Sequence, residues 1–353
     1  MRDVLGQIDG LEGVQGAMAA ALIRVVEIFD RQLESELPAV NALCRHVEQY
    51  RGKMLRPTLV LLSGFACHPR AGDADAQRWT DEQWGGVLTR DHIVSAAVVE
   101  MVHMATLVHD DVLDEADTRR RARTINKLRG NEPAVILGDY LIASAYDLCS
   151  SLDTPDAARA VARASVTTCA GELLQLHHRE DFSLDEATYF EIVAGKTAAL
   201  IACACSLGAT ASGARRLAPA MAEFGHRVGV AFQIQDDILD LTGDERVVGK
   251  SVGKDIQKGK LTLPMIHHLS HASPAGRGAA IRLLERACSD DGQSDDARRE
   301  LAAMLGASGS LAYARQRAAG EIALAKGLLA ELPTSAARRV LEALSDAVLS
   351  RDH

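Results

Sequence analysis

Aromatic residues are scarce in this chain: Phe, Tyr and Trp together make up only 4% of its 353 residues. Strands draw on aromatic and β-branched side chains, so that scarcity speaks against a β-rich fold, while recurrent alanine and leucine favour helix. Positive charge is short as well. Thirty-nine Lys and Arg face 48 Asp and Glu, a net charge of −9, which excludes a general nucleic-acid surface but leaves room for a local basic patch. No uncharged apolar stretch reaches the roughly 18 residues of a membrane span, so none is expected. The opening Met1-Arg2-Asp3-Val4 has neither the charged-then-apolar pattern of a signal peptide nor the Arg/Ser-rich character of a transit peptide. Disulfides are not expected either. The seven cysteines, Cys44, Cys67, Cys149, Cys169, Cys203, Cys205 and Cys288, are odd in number and scattered through apolar stretches, as buried free thiols in a reducing cytoplasm would be. Cys203 and Cys205 sit two apart in a helical run and face different ways, and no second pair has zinc-like spacing.

What remains is helical. Hydrophobic residues make up 47% of the chain, recur at three-and-four spacing, and show no convincing strand alternation. Breaks rich in Gly, Pro, Asp and Ser are expected around His68–Arg90, Arg129–Pro133, Ser151–Asp156, Ala209–Gly213, Thr242–Thr262 and Ser289–Asp296. None resembles an interdomain linker, so a single all-α domain of stacked helices over 1–353 is expected.

Within it one motif occurs twice. Asp110-Asp111-Val112-Leu113-Asp114 and Asp236-Asp237-Ile238-Leu239-Asp240 each carry two adjacent acids and a third at i+4, at the end of a long apolar run. On a helix, i and i+4 share a face about 6 Å apart, and like charges there repel by a few tenths of a kcal/mol. Carboxylates are also disfavoured at a helix C-terminus by the macrodipole. A solvated helix end is therefore a poor account of the motif, and a binding site for cations a better one. Two such clusters facing each other would suit Mg²⁺ held together with substrate phosphates. The helix delivering the first cluster, His92 to His109, is apolar nearly all round and should be buried.

Basic residues stand at four places. Lys53 and Arg56 precede a helix start at Pro57; Arg119-Arg120-Arg121 follows the first acid cluster; and Lys250, Lys254 and Lys260 lie on a glycine-rich stretch after the second. Lys196 and Thr197, after Gly195, are read as opening an apolar helix whose positive end would favour an anion. Singly, each of these is more often a solvated surface charge; together around two acid clusters they are not.

This ordered set resembles the all-trans isoprenyl (polyprenyl) diphosphate synthase family over about residues 25–351, in its medium- and long-chain members. The resemblance implies the isoprenoid synthase type I fold, a bundle of long antiparallel helices round a central apolar cavity. It implies that Asp110, Asp111, Asp114, Asp236, Asp237 and Asp240 hold Mg²⁺, three ions per site, against the diphosphate of an allylic substrate such as farnesyl or geranyl diphosphate. Lys53, Arg56, His103 and Arg120 would bind isopentenyl diphosphate. Arg119, Lys196, Thr197, Lys250, Lys260 and Gln233 would serve the allylic diphosphate. One stretch departs from the family pattern: Arg121-Ala122-Arg123-Thr124 stands where the family has Gly-x-Pro-Thr.

The chemistry so implied is head-to-tail condensation. The allylic diphosphate ionises, the double bond of isopentenyl diphosphate attacks the cation, and a proton lost to the departing diphosphate leaves a chain five carbons longer. Charge building on the leaving group is what the acids, their ions and the basic set would stabilise. In the family a bulky aromatic four or five residues before the first aspartate stops growth near fifteen carbons. Here those positions are the small Thr106 and Ala105, so a product longer than twenty carbons is expected, with Met101 or Met104 as the candidate floor that would limit it to about twenty. The alternatives are a short-chain geranylgeranyl or farnesyl diphosphate synthase and a non-catalytic subunit of a heteromeric synthase. A class I terpene cyclase is disfavoured by the all-aspartate second motif. A homodimer, a cytoplasmic location and peripheral membrane contact for product release complete the expectations. Trp79, Trp84, Asp117 and Asp139 receive no firm role, and His109 is read as structural.

Overall fold

The computed structural model describes residues 12–73, 75–120, 122–243, 253–288 and 294–350. Helices dominate them; the strands among the described residues are the two-residue β1 (Thr118–Arg119) and β2 (Ala122–Arg123), paired antiparallel. The described residues fall into two compact units. One comprises Met1–Val166, Leu200–Gly225 and Lys326–Leu344, the other Thr167–Ala199, His226–Ala325 and Ser345–His353.

The first unit is built round the helix Arg90–Leu113, which packs against Asn131–Ser150 and Leu55–Cys67. Ile93, Val98, Met101 and Ala105 on it are all 0% exposed, as its all-round apolarity predicts. Its N-terminus is fastened by a polar chain. His92, itself fully buried, accepts at Nδ1 from Thr89 N (3.1 Å), with Thr89 Oγ1 2.9 Å away. Its Nε2 lies 2.9 Å from Ser212 Oγ, whose one proton goes to Gly64 O (2.7 Å). Nε2 must therefore carry the ring proton and Nδ1 the lone pair, so His92 is neutral, and burial depresses its pKa to about 4. Further along, His109 Nε2 lies 3.1 Å from Val135 O and 3.5 Å from Asp139 Oδ1. Gly138 leaves room for that ring, since a Cβ there would come within 2.1 Å of it. His109 and Asp139 thus join two helices. The two tryptophans are core as well: Trp79 and Trp84 meet edge-on at 4.9 Å, and Phe65 meets Trp84 at 5.4 Å.

In the second unit the C-terminal half of the helix Asp156–His177 crosses the segment after Glu186–Val193 at a pair of glycines. A Cβ on Gly171 would stand 2.5 Å from Lys196 N, and one on Gly195 would stand 2.8 Å from Gly171 Cα. Tyr313 donates to both oxygens of Glu186, and Arg317 pairs with the same carboxylate.

Three expectations need correction. Gly195-Lys196-Thr197 does not open a helix: Ala194–Ala198 is a π-helical turn between Glu186–Val193 and Ala199–Ala211. Gly195 is there for the close crossing with Gly171, not as a break, and backbone bonding runs on through the turn. Cys169 and Cys288 are exposed, the other five cysteines buried. Two helices, Arg90–Leu113 and Glu186–Ala211, are in fact apolar and long enough to cross a membrane, with 78% and 72% of the relevant windows buried inside the protein. Thr118–Arg119 and Ala122–Arg123, in the stretch that departs from the family pattern, pair as the small hairpin, with Arg120 in the left-handed region at φ 49°.

Candidate functional site

The first acid motif lies where the sequence places it. Asp110 and Asp111 are in the last turn of Arg90–Leu113, and Asp114 is its C-terminal cap. Asp111 is 1% exposed. Arg119 reaches back from the hairpin and donates through both Nε (2.9 Å) and a terminal nitrogen (2.8 Å) to Oδ1 alone. Oδ2 is buried with no close hydrogen bond, although the Tyr50 hydroxyl also bears on this carboxyl. Burial raises the pKa of Asp111; Arg119 and then the Tyr50 hydroxyl oppose that, and Asp114 adds to it. A buried carboxylate with one oxygen paired and the other open suits a hard cation.

Beside it lies a basic group. Gly52 admits the Arg120 guanidinium, which would collide with any Cβ there, and Arg120 donates to Tyr50 O. Met54 takes a left-handed conformation at φ 52°, turning the chain from exposed Lys53 into the helix that carries Arg56. Arg56 Nε is buried without a partner. Burial holds His103 well below its usual pKa, and Arg56, Arg120 and Arg119 press it the same way, so the ring is neutral. Glu100, one turn before His103 and 3% exposed, supplies the negative charge: burial raises its pKa, and Arg56, Arg120 and Arg51 pull it down. The sequence reading missed Glu100. A lone acid in an apolar run carries no signal until its arginines arrive.

In the second unit a cleft of about 580 Å³, partly open to solvent, is lined by Lys196, Thr197, Gln233, Asp237 and Lys260. All five were expected in the site. Thr197 Oγ1 donates to Gln233 Oε1 (2.6 Å), Gln233 Nε2 donates to Asp237 Oδ1 (2.7 Å), and Tyr189 donates to Asp237 Oδ2 (2.7 Å). Lys196 donates to Gln175 Oε1 (2.8 Å) and pairs with Glu172, both presented by the helix that Gly171 brings close. Asp255 also lines the cleft. Burial and the neighbouring Asp255 push the Asp237 carboxyl well above its usual range, against the hydrogen bonds from Gln233 and Tyr189. Burial raises Asp255 too, opposed first by Lys260.

Asp240 has an additional task. Its two oxygens accept from Lys254 N (3.3 Å) and Asp255 N (3.0 Å), and its carbonyl accepts from Gly253 N (2.8 Å). It thereby anchors the turn that carries Asp255. Asp236 acts electrostatically on both Asp237 and Asp255. Lys250 and Arg121 lie outside the described residues. Tyr189, Glu172, Gln175 and Asp255 were missed, although Asp255 stands between the flagged Lys254 and Lys260.

Of the residues expected to set product length, Met101 and Ala105 are fully buried. Thr106 is half-buried and donates to His103 O (2.8 Å). The hard oxygen donors and crowded, buried carboxylates fit Mg²⁺. Among the described residues no three His, Cys, Asp or Glu side chains converge into a preformed cage. Mg²⁺ that keeps waters and phosphate oxygens needs only one or two carboxylates.

The family model for polyprenyl synthetase matches residues 38–301. The chain is 36% identical over 272 residues to heptaprenyl diphosphate synthase component 2 of Geobacillus stearothermophilus, covering 77% of this chain and 79% of the relative. It is 32% identical to the geranyl-diphosphate-specific all-trans-nonaprenyl-diphosphate synthase of Rhodobacter capsulatus, covering 98% and 99%. Among solved structures, a decaprenyl diphosphate synthase from Rhodobacter capsulatus superposes with a TM-score of 0.83 at 32% identity, covering 96% of this chain and 98% of that one.

Proposed function

This chain belongs to the polyprenyl synthetase family, and on that premise we propose that it condenses isopentenyl diphosphate with an allylic diphosphate to build an all-trans polyprenyl diphosphate longer than twenty carbons. The observation that carries the reading is the second-unit cleft, where Lys196 and Lys260 stand with Asp237 and Asp255. A site for an anion escorted by divalent cations needs both signs in one place. We read 1–353 as one polyprenyl synthetase domain, because the family match at 38–301 takes in residues of both units.

Asp110, Asp111, Asp114, Asp236, Asp237 and Asp240 would hold Mg²⁺, which when bound supplies positive charge to the leaving diphosphate. The chain's own residues do the rest. Tyr189 and Gln233 fix Asp237 from both sides, and Gly171 lets Glu172 and Gln175 steer the Lys196 ammonium towards the cleft. Arg56, Arg120 and neutral His103 offer donors for isopentenyl diphosphate, with Lys53 beside them, while buried Glu100 balances the guanidinium charge. Met101, Ala105 and Thr106 are proposed to set the product length.

The test is incubation with Mg²⁺, labelled isopentenyl diphosphate and farnesyl diphosphate, followed by chromatography of the dephosphorylated products. A ladder ending at thirty-five carbons or more supports the reading; a stop at twenty keeps the chemistry and places the floor at Met101. A second reading has one observation in its favour, the relative named as component 2 of its synthase. Absence of incorporation by the chain alone, restored by an added partner, would select it. We further propose a homodimer, because Leu128, Val135 and Ile136 expose apolar surface close together in the chain, and a cytoplasmic location with peripheral membrane contact at product release.

A further inference from the structure

The turn after Asp156–His177 holds side chains that neither the acid motifs nor the lysines account for. Glu180 is left-handed at φ 62°, and its N donates to Gly259 O (2.8 Å). Gly259 is left-handed as well, and a Cβ there would come within 2.5 Å of Glu180 Cγ. The two turns interlock through their backbones, and a strained non-glycine residue of this kind persists only where its surroundings over-determine it. The interlock brings His178 to the cleft wall beside Gln175, Lys196 and Lys260.

His178 is oriented there. Its Nδ1 lies 2.8 Å from Asp181 Oδ2. The other oxygen of Asp181 accepts from Ser183 N (2.9 Å) and Ser183 Oγ (2.5 Å). The Ser183 bonds, then that from His178, hold the Asp181 carboxyl down to about 2. Asp181 is therefore an anion and only accepts, so Nδ1 carries a proton in either state of the ring, and Nε2 keeps its lone pair whenever the ring is neutral. That lone pair repels an arriving diphosphate oxygen, whereas a proton at Nε2 makes the ring a charged donor. On its own segment the ring faces His177, Asp181 and Asp185. Across the cleft stand Lys196, Asp237, Asp255 and Lys260.

We propose that His178 is a further diphosphate-binding residue of this cleft. As the anion enters, Nε2 takes one proton from solvent and donates a hydrogen bond to a diphosphate oxygen, while Asp181 acts as a positioning residue through Nδ1–H. The inference rests on the diphosphate reading of the cleft. It extends that reading by making anion binding a proton-uptake event.

The test is isothermal titration calorimetry of the full chain with inorganic pyrophosphate at saturating Mg²⁺, in two buffers of different ionisation enthalpy. Relative to wild type, His178→Ala is expected to lose about tenfold in affinity, the worth of one charge-assisted hydrogen bond, together with the extra proton taken up. His178→Gln, whose amide donates without a proton, is expected to stay within about threefold of wild type and still lose the uptake. Asp181→Asn should reduce the uptake with the fold intact. Equal affinity and equal proton count in wild type and His178→Ala would overturn the proposal and leave the diphosphate site standing. A variant that lowers only the melting temperature, with the proton count unchanged, would reassign His178 to holding the turn. No pyrophosphate binding by wild type would remove the diphosphate reading and this inference together.

Discussion

Asp111 and Asp237 are the same residue of the same motif, yet their surroundings differ. Asp111 has one oxygen forked by Arg119 and the other open; Asp237 has each oxygen held by a different neutral donor. Lysine cannot reproduce the fork, so Arg119→Lys should lower kcat/KM by about tenfold or more and raise the Mg²⁺ concentration for half-maximal rate. Tyr189→Phe removes one hydrogen bond to a buried carboxylate, worth about 1.5–3 kcal/mol. Its expected signature is a weaker Mg²⁺ dependence curve and a kcat/KM for the allylic substrate down by ten- to a hundredfold, read from initial rates. The aspartates were legible because acids repeated at a helix C-terminus contradict the local electrostatics. Tyr189, Glu100 and Asp255 were not, because each is ordinary in sequence and becomes part of a site only beside partners far along the chain.

Among the elements, the crossing at Gly171 and Gly195 is the one that shapes the cleft. Gly171→Ala would place a methyl group 2.5 Å from Lys196 N. Overpacking of that kind costs about 1–3 kcal/mol, so the variant should melt several degrees lower and lose activity as Lys196 shifts. The His92 network gives an element-scale test with a definite sign. Its folded pKa of about 4 lies below the ordinary 6.5, so the folded state excludes a proton that the unfolded chain binds. That stability is fully present above pH 6.5 and is lost as pH falls through 6.5 towards 4, to a total of about 3 kcal/mol. Buried acids such as Glu100 and Asp237 drift the opposite way, so the informative quantity is wild type minus His92→Gln. In urea melts at pH 7.5 and 4.5, that difference should shrink as the pH falls. Helix ends at Leu113, Gly130 and Gly213 were readable from acids and glycines. The π-helical turn was not, because an apolar pattern looks the same whether one residue is accommodated inside a helix or the helix begins there.

For the whole molecule, product length and assembly are the open quantities. Ala105→Phe should shorten the longest product towards fifteen or twenty carbons while total isopentenyl incorporation persists, as read by chromatography. Failure to shorten it would take Ala105 out of the length-setting role. Sedimentation at twice the chain mass would support the dimer, and a monomer would leave Leu128 and Ile136 facing water. The all-helical class followed from composition and spacing. The partition into two compact units did not, since both are assembled from segments that interleave along the chain.

Four non-glycine residues among those described are left-handed: Met54, Glu115, Arg120 and Glu180. Met54 stands between Lys53 and Arg56, Glu115 follows Asp114, Arg120 is itself in the basic group, and Glu180 braces the turn bearing His178. Each holds about 1 kcal/mol or more of conformational strain, and each stands at or beside the proposed site. The protein therefore carries unused thermal headroom at known addresses. Glycine at Glu115 or Glu180 should raise the melting temperature, and the accompanying change in turnover would measure how much of that tension the reaction needs.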